Sequence, residues 1–325
     1  MASKHGDMRW SQTKTLLLCS LLTALLTVCN AAEPQPAQEI APGVQLLAYM
    51  SDMRIKESSG VIASRRYANV FWTHNDGGGP KKQVLYAIDR EGNTHAAFPV
   101  TGATFHDWED IAIDDAGHLF LGDIGNNDAK RDMLAVYEID EPDPSANISA
   151  ISPKRGWTLK FPNAPFDCES LFIWKDYGYV ISKVFKEAHA QIFRFPLQDT
   201  TEPQMLELVA TTKIESPVTG ADISADGNLL GLVAKDGAYV YRINGDVARV
   251  NEVAPHHTKI RDQHILKAAA LCPMGCWRRA NGAGFFCLPI RHFAGSEKRS
   301  GPERKSPARL HHVDVDLRGV GFLQL

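Results

Sequence analysis

The sequence predicts an all-β fold, a β-propeller of four-stranded blades. Three observations carry that prediction. First, a polar or acidic opening recurs at Glu57, Glu109, Glu169 and Ala221-Asp222, in steps of 52, 60 and 52 residues. A period near fifty points to a repeat architecture. Second, the last three openings each precede another polar position by fourteen residues: Glu109 and Asp123, Glu169 and Lys183, Ala221 and Lys235. Third, short β-branched and aromatic runs alternate with Gly, Asp, Asn and Pro turns, and no long stretch outside the N-terminus keeps helical periodicity. A single such sheet cannot bury both of its faces, whereas neighbours in a ring cover one another. A β-sandwich with coincidental spacing is the alternative.

The elements follow in order. Lys4, Arg9 and Lys14 precede an apolar run from Leu16 to Val28 and then small Ala31 and Ala32, so residues 1–32 read as a secretory signal peptide. The run is shorter than the roughly 20 residues a spanning helix needs. Leu26-Thr27-Val28-Cys29 has the outline of a lipoprotein box, with Val28 large for its position. Export predicts a secreted or periplasmic location, with no transmembrane segment in the mature chain and a monomer as its form. A Pro- and Ala-rich leader follows at 33–42, and Val44 to Met50 reads as one strand.

Each repeat then has one plan. The first strand starts at the acidic opening, as in Ile111-Ala112-Ile113, and the second is apolar, as in Leu119-Phe120-Leu121. The third carries an aromatic near its middle, as in Val136-Tyr137-Glu138. The fourth is shorter and more polar: Thr94 to Val100, Trp157 to Phe161, Met205 to Ala210 and Val247 to Val253. The blades therefore occupy 33–255. Residues 256–325 lose the pattern, and there Lys and Arg outnumber Asp and Glu by 12 to 5. This region reads as a last blade or blades, as a basic tail, or as a disturbed reading frame.

The composition narrows the function. A formal net charge of -3 gives no reason to expect nucleic acid as a partner. Past the signal, Cys168, Cys272, Cys276 and Cys287 remain, too few for a disulfide framework in a chain of this length. Cys272-x3-Cys276 with Cys287 and His292 is off the common zinc spacing. The sequence has no nucleophile elbow, phosphate loop or dinucleotide fingerprint.

Candidate chemistry lies in the openings. In a hairpin the start of one strand lies beside the end of the next, so Glu109 should neighbour Asp123, Glu169 Lys183, and Asp222 Lys235. Glu169 and Lys183 neutralise each other. Two carboxylates at contact distance repel, so the first pair calls for a shared proton or a cation. Asp107, Asp110, Asn126, Asn127 and Asp128 add oxygen nearby, and hard oxygen donors suit calcium. The candidate metal ligands are Glu57, Asp76, Glu109, Asp110, Asp123, Asn126, Asn127 and Glu169. The bland alternative is a set of solvated turn residues, since Asp, Asn and Gly are what β-turns prefer. His74, in His74-Asn75-Asp76-Gly77, is the candidate general base beside a metal-bound water, and His106 is its rival. Trp72 and Trp108 read as packing residues.

These stretches resemble a group of secreted bacterial proteins with a six-bladed, TolB-like propeller. The matching residues are Trp72-Thr73-His74-Asn75-Asp76-Gly77, Asp107-Trp108-Glu109-Asp110-Ile111-Ala112, Gly122-Asp123-Ile124-Gly125-Asn126-Asn127 with Arg131, and Cys168-Glu169-Ser170 with Ser182-Lys183. More remotely, the chain is similar to the calcium-dependent phosphotriesterase superfamily, which includes gluconolactonases and paraoxonases. That resemblance implies a channel calcium held by Glu57, Glu109 and Glu169; Ala221 departs from the pattern. Two functions follow as expectations. One is a calcium-dependent hydrolase acting on a small-molecule ester, lactone or phosphoester. The other is a non-catalytic propeller that binds a protein or glycan partner on its channel face.

Overall fold

The computed structural model describes residues 38–41, 44–46, 48–184, 188–260 and 286–287. Residues 1–32, expected to be a signal peptide, and most of 256–325 lie outside these described residues. Strands β1 (Gln38–Ala41) and β2 (Val44–Leu46) form an antiparallel pair. The strand expected over Val44 to Met50 thus stops at Leu46.

Four blades follow. The first is β3 (Ser58–Ala63), β4 (Phe71–Asn75), β5 (Val84–Ile88) and β6 (Thr94–Pro99). The second is β7 (Trp108–Ile113), β8 (His118–Asp123), β9 (Met133–Asp140) and β10 (Arg155–Lys160). The third starts with β11 (Cys168–Trp174), β12 (Tyr177–Ser182) and β13 (Gln191–Pro196). Its chain then makes β14 (Gln204–Met205), which pairs in parallel with β10 of the second blade, before its own outer strand β15 (Glu207–Thr211). The fourth is β16 (Val218–Ile223), β17 (Leu229–Ala234), β18 (Gly237–Arg242) and β19 (His256–Lys259). Finally β20 (Phe286–Cys287) pairs with β2. The fold is the predicted all-β propeller, with four blades among the described residues.

One strand differs from its expectation. Val247–Asn251 is a 3-10 helix, not the fourth strand of its blade. Asp246 caps it by accepting the Ala248 amide, and Val247 and Val250, three apart, both turn inward. Spacing of three is helical rather than strand-like. The true outer strand is β19, past the expected boundary at 255.

Strand alternation explains the core. Successive residues of a strand face opposite sides of its sheet. Ile111 and Ile113 of β7 pack with Val61, Trp72 and Leu85 of the first blade. Ala112, between them, packs with Leu171 and Ile173 of the third. On the other side of the third blade, Phe172 and Ile181 meet Ile223, Leu230 and Leu232 of the fourth. Both faces of each middle blade are therefore covered by neighbours.

A repeated device joins the outer edges. In the second, third and fourth blades the connection before the outer strand reaches back to the preceding blade. Ile151 bridges Pro99 and Thr101, accepting at 2.8 Å from Thr101 and donating at 2.9 Å to Pro99. β14 does this as a strand. In the fourth blade the 3-10 helix does it with Asn251, whose Oδ1 accepts the Thr211 amide at 2.9 Å.

Candidate functional site

The site is built at the hairpin ends where each first strand begins. There every blade has a bulge, between Ser58 and Val61, Trp108 and Asp110, Cys168 and Ser170, and Val218 and Gly220. A bulge inserts a residue that has no opposite number in the strand register and re-aims its side chain. Glu109 and Glu169 are such residues, and Thr219 is their counterpart in the fourth blade.

A backbone hydrogen bond next to each bulge gives the repeat its structural phase. The amides of Asp76, Gly125, Lys183 and Lys235 donate to the carbonyls of Glu57, Asp107, Asp167 and Pro217. These acceptors are spaced 50, 60 and 50 residues apart. Glu57 thus corresponds to Asp107 and Asp167, rather than to Glu109 and Glu169 as the sequence spacing suggested. The uniform fourteen-residue separation joins non-equivalent positions, because the turns between first and second strands differ in length. Asp222 accordingly pairs with Gly231, not Lys235.

The expected meeting of Glu109 and Asp123 is replaced by another. Trp108, not Glu109, stands opposite Asp123. Asp123 is 1% exposed, and its carboxylate accepts the amides of His106 at 2.8 Å and Asp107 at 2.7 Å. Arg131 supplies the balancing charge, with Nη2 2.6 Å from Asp123 Oδ2. No cation is called for there.

Glu109 instead gathers with Asp76 and Asp107, carboxylate oxygens of all three lying within 4.8 Å of one another. Ser59 Oγ donates to Glu109 Oε2 at 3.3 Å. Gly77 and Trp108 exchange backbone hydrogen bonds of 3.2 and 3.1 Å, which fixes the first blade's loop against the second blade's strand. Burial and the neighbouring Asp76 charge both push the Asp107 carboxyl above its ordinary value. Gly125 makes room for it: a Cβ there would sit 2.3 Å from Asp107 Oδ2.

The other nominated residues have structural partners. Asp110 is wholly enclosed and accepts amides from Ile111 at 2.9 Å and Leu171 at 2.7 Å. Burial raises its carboxyl well above the usual range despite those amides. Asn126 holds its loop, donating to the Arg131 and Phe166 carbonyls and accepting the Arg131 amide. Glu57 is exposed and paired with Lys82. Glu169 meets Lys183 as expected, and Asp167 joins them at 3.2 Å. Lys183 is lifted above its ordinary value, since these two carboxylates outweigh its burial. Asn127 links the two acidic groups, donating to Asp107 Oδ2 and accepting from Lys183 Nζ, each at 3.3 Å.

The two histidines differ. His74 is fully buried and stacks on Trp108 with ring centroids 4.0 Å apart. Its Nε2 accepts the Gly60 amide at 3.0 Å, which leaves the proton on Nδ1, 3.1 Å from the Asn75 carbonyl. Both nitrogens are engaged in holding backbone. His106 has a side chain 66% exposed, with Nδ1 3.4 Å from Asp123 Oδ2 and Asp107 next in the chain. The residues that sequence reasoning underweighted are Asp107, Asp167 and Gly125. The signal for them was the repeated Asp-x-Glu at 107–109 and 167–169.

No family model matches the chain, and no curated protein matches it. Among solved structures, a chain in the "Crystal Structure of Mitotic Checkpoint Complex" is 17% identical with a TM-score of 0.35, over 74% of this chain and 58% of that one. Kuenenia stuttgartiensis hydrazine synthase is 11% identical with a TM-score of 0.40, over 66% of each chain. The present chain therefore spans less than two thirds of the length of either. Likeness at this level assigns no activity.

Proposed function

We propose that this protein is an exported, non-catalytic propeller that binds a protein or glycan partner on the face carrying Asp76, Asp107 and Glu109. One observation carries the reading. Two of the nominated groups are tied into the scaffold: the candidate base His74 by Gly60 and Asn75, and the candidate metal ligand Asp123 by Arg131 and two amides. What the face presents is a set of oxygen donors, a recognition feature. The N-terminal pattern of basic residues, apolar run and small residues supports export. If a metal takes part, an oxygen-only set suits calcium, with Asp76, Asp107 and Glu109 as protein ligands. Three carboxylates giving one oxygen each fall short of the roughly 6–8 oxygens calcium takes, so partner or solvent oxygens would complete its shell.

The second reading is the calcium-dependent hydrolase of lactones or phosphoesters, and His106 favours it. An exposed imidazole oriented by a buried carboxylate, one residue from Asp107, is arranged as a general base. A metal bound there would supply Lewis acidity. Assay of the mature chain on a lactone and phosphoester panel, with and without EDTA, separates the readings. The binding reading expects no metal-dependent turnover, and glycan or peptide retention that Glu109→Gln abolishes. Turnover that EDTA and His106→Ala both remove would establish the hydrolase instead.

A further inference from the structure

We infer that the outer corner of the second blade docks a short segment of a protein partner, one bulky apolar residue flanked by a basic and an acidic one. The inference goes beyond the reading above. It concerns a patch apart from the acidic trio, and its failure leaves that reading standing.

Strand register builds the patch. Met133 of β9 stands opposite Lys160 of β10, and Lys160 opposite Met205 of β14. Residues opposite one another in a sheet share a face. The three side chains therefore form one row across three strands. Leu134 and Leu159, their neighbours in the chain, face the other way and join the core with the third blade. The core takes those two leucines, whereas Met133 is 44% exposed and Met205 56%.

Both methionines border a cavity of about 290 Å³ that Phe161 and Pro165 also line. Phe161 is held edge-to-face on Phe166, and Phe166 stacks on Phe193, each pair with ring centroids 4.7 Å apart. Asn126 ties down the same loop, donating its amide to Asp167 Oδ1 at 2.7 Å and its side chain to the Phe166 carbonyl at 3.3 Å. The cavity thus has a fixed back and two adaptable thioethers at its mouth. Methionine suits surfaces that adjust to an incoming apolar side chain.

Charge decides which occupant fits. Asp132 and Lys160 line the same cavity, and both are exposed. Among the described residues neither forms an ion pair. An apolar cavity with one acid and one base on its wall complements an apolar group set between a cation and an anion. Three neighbouring side chains of a peptide supply that. An anionic lipid surface calls for basic groups alone, and Asp132 would repel it. A glycan has no apolar group of this size to fill the cavity. An apolar anchor in a pocket with a polar rim is where protein interfaces concentrate their energy.

The full chain is isotopically labelled at its methionine methyl groups for NMR, and Met133→Leu and Met205→Leu assign the two signals. It is titrated with acetyl-Gly-Lys-Leu-Glu-Gly-amide and with the reversed acetyl-Gly-Glu-Leu-Lys-Gly-amide. One of the two should shift both signals saturably. Alanine in place of the peptide's leucine should weaken binding about tenfold, the scale of an interface anchor. Lys160→Glu should weaken it about fivefold, the upper scale of an exposed ion pair, and transfer the preference to a peptide with lysine in place of glutamate. Its melting temperature should match wild type, since the side chain is exposed and unpaired among the described residues. Phosphatidylglycerol vesicles and octyl glucoside are the competing probes. Shifts caused by either of these and by neither peptide overturn the proposal in favour of a membrane or a small amphiphile. Peptide binding indifferent to the leucine or to Lys160→Glu overturns it as well, and so does silence with every probe.

Discussion

The carboxylate of Asp110, on the first strand of the second blade, accepts the amide of Leu171, on the first strand of the third, at 2.7 Å. A side chain thus does between blades what the backbone does within a sheet. Gly60 of the first blade packs on the same residue, with a hypothetical Cβ 2.7 Å from Asp110 Oδ1. One buried acid thereby meets the inner strands on both sides.

Removing this acid should be costly. Asp110→Ala leaves buried amides without an acceptor, at about 1–3 kcal/mol each, and should lower the urea midpoint with an unchanged m-value. Asp110→Asn carries a pH signature. The raised folded value means that the unfolded chain ionises first as pH rises past the ordinary carboxylate value of 3.8. Above that point Asp110 progressively costs the folded state stability, until its own raised value is passed. The deficit of Asp110→Asn relative to wild type should therefore shrink between acid and mildly alkaline pH. A deficit constant with pH would mean the carboxyl is not perturbed by burial.

Lys183 pairs with two carboxylates, its side chain only 9% exposed. Lys183→Met should cost about 3–5 kcal/mol, as expected when one partner of a buried pair is removed. Adding Glu169→Gln should recover part of the loss. Because the lysine's folded value is raised, its contribution is present below the unfolded lysine value and fades as pH rises through the folded one. Thermal melts from neutral to strongly alkaline pH would show wild type converging on the double variant.

His74 is expected to matter for folding. His74→Ala removes the acceptor of the Gly60 amide and the ring stacked on Trp108. A loss of about 2–4 kcal/mol follows from the unmet amide and the cavity together. Ligand binding by the fraction that folds should be unchanged. A variant of full stability and altered binding would return His74 to the functional site.

Asp123 and Asp107 should separate cleanly. Asp123→Asn weakens the contact to Arg131 and loosens the loop from His106 to Asn126, lowering melting temperature whatever the calcium concentration. Asp107→Asn should leave the melting temperature in EDTA near wild type, because burial and Asp76 already disfavour its charge. It should remove any stabilisation by calcium, which at a hundredfold excess over its dissociation constant amounts to about 2.7 kcal/mol. Equal calcium responses in both variants would mean general screening of an acidic surface.

Gly125→Ala tests the space around Asp107. The added methyl must displace Asp107, so cation response should fall while the urea midpoint drops by about 1–3 kcal/mol, the cost of overpacking. An unaltered response would show that Asp107 does not need to lie against that backbone.

The propeller was legible in the chain because strand alternation and turn residues are local properties. Ile111-Ala112-Ile113 announces a strand buried on both faces, and Asp-Gly-Asn at 226–228 announces a turn. The pairing of Glu169 with Lys183 was also legible, since a two-residue turn leaves little freedom in register. Val247 to Val253 misled because its apolar residues at 247 and 250 suit a strand or a short helix alike, and only the Asp246 cap and the contact of Asn251 with β15 decide between them.

By itself, then, the sequence determined the repeat, its strands and the acidic character of one end of each blade. Tertiary structure decided which acids meet. A bulge of one residue moves a side chain to the opposite face of its sheet, and a turn longer by two changes which residues stand opposite each other. That is why Glu109 turns to Asp76 and Asp107, and why Asp123 is left to Arg131. The ligand chemistry of the face depends on that displacement, which no spacing between residue numbers contains.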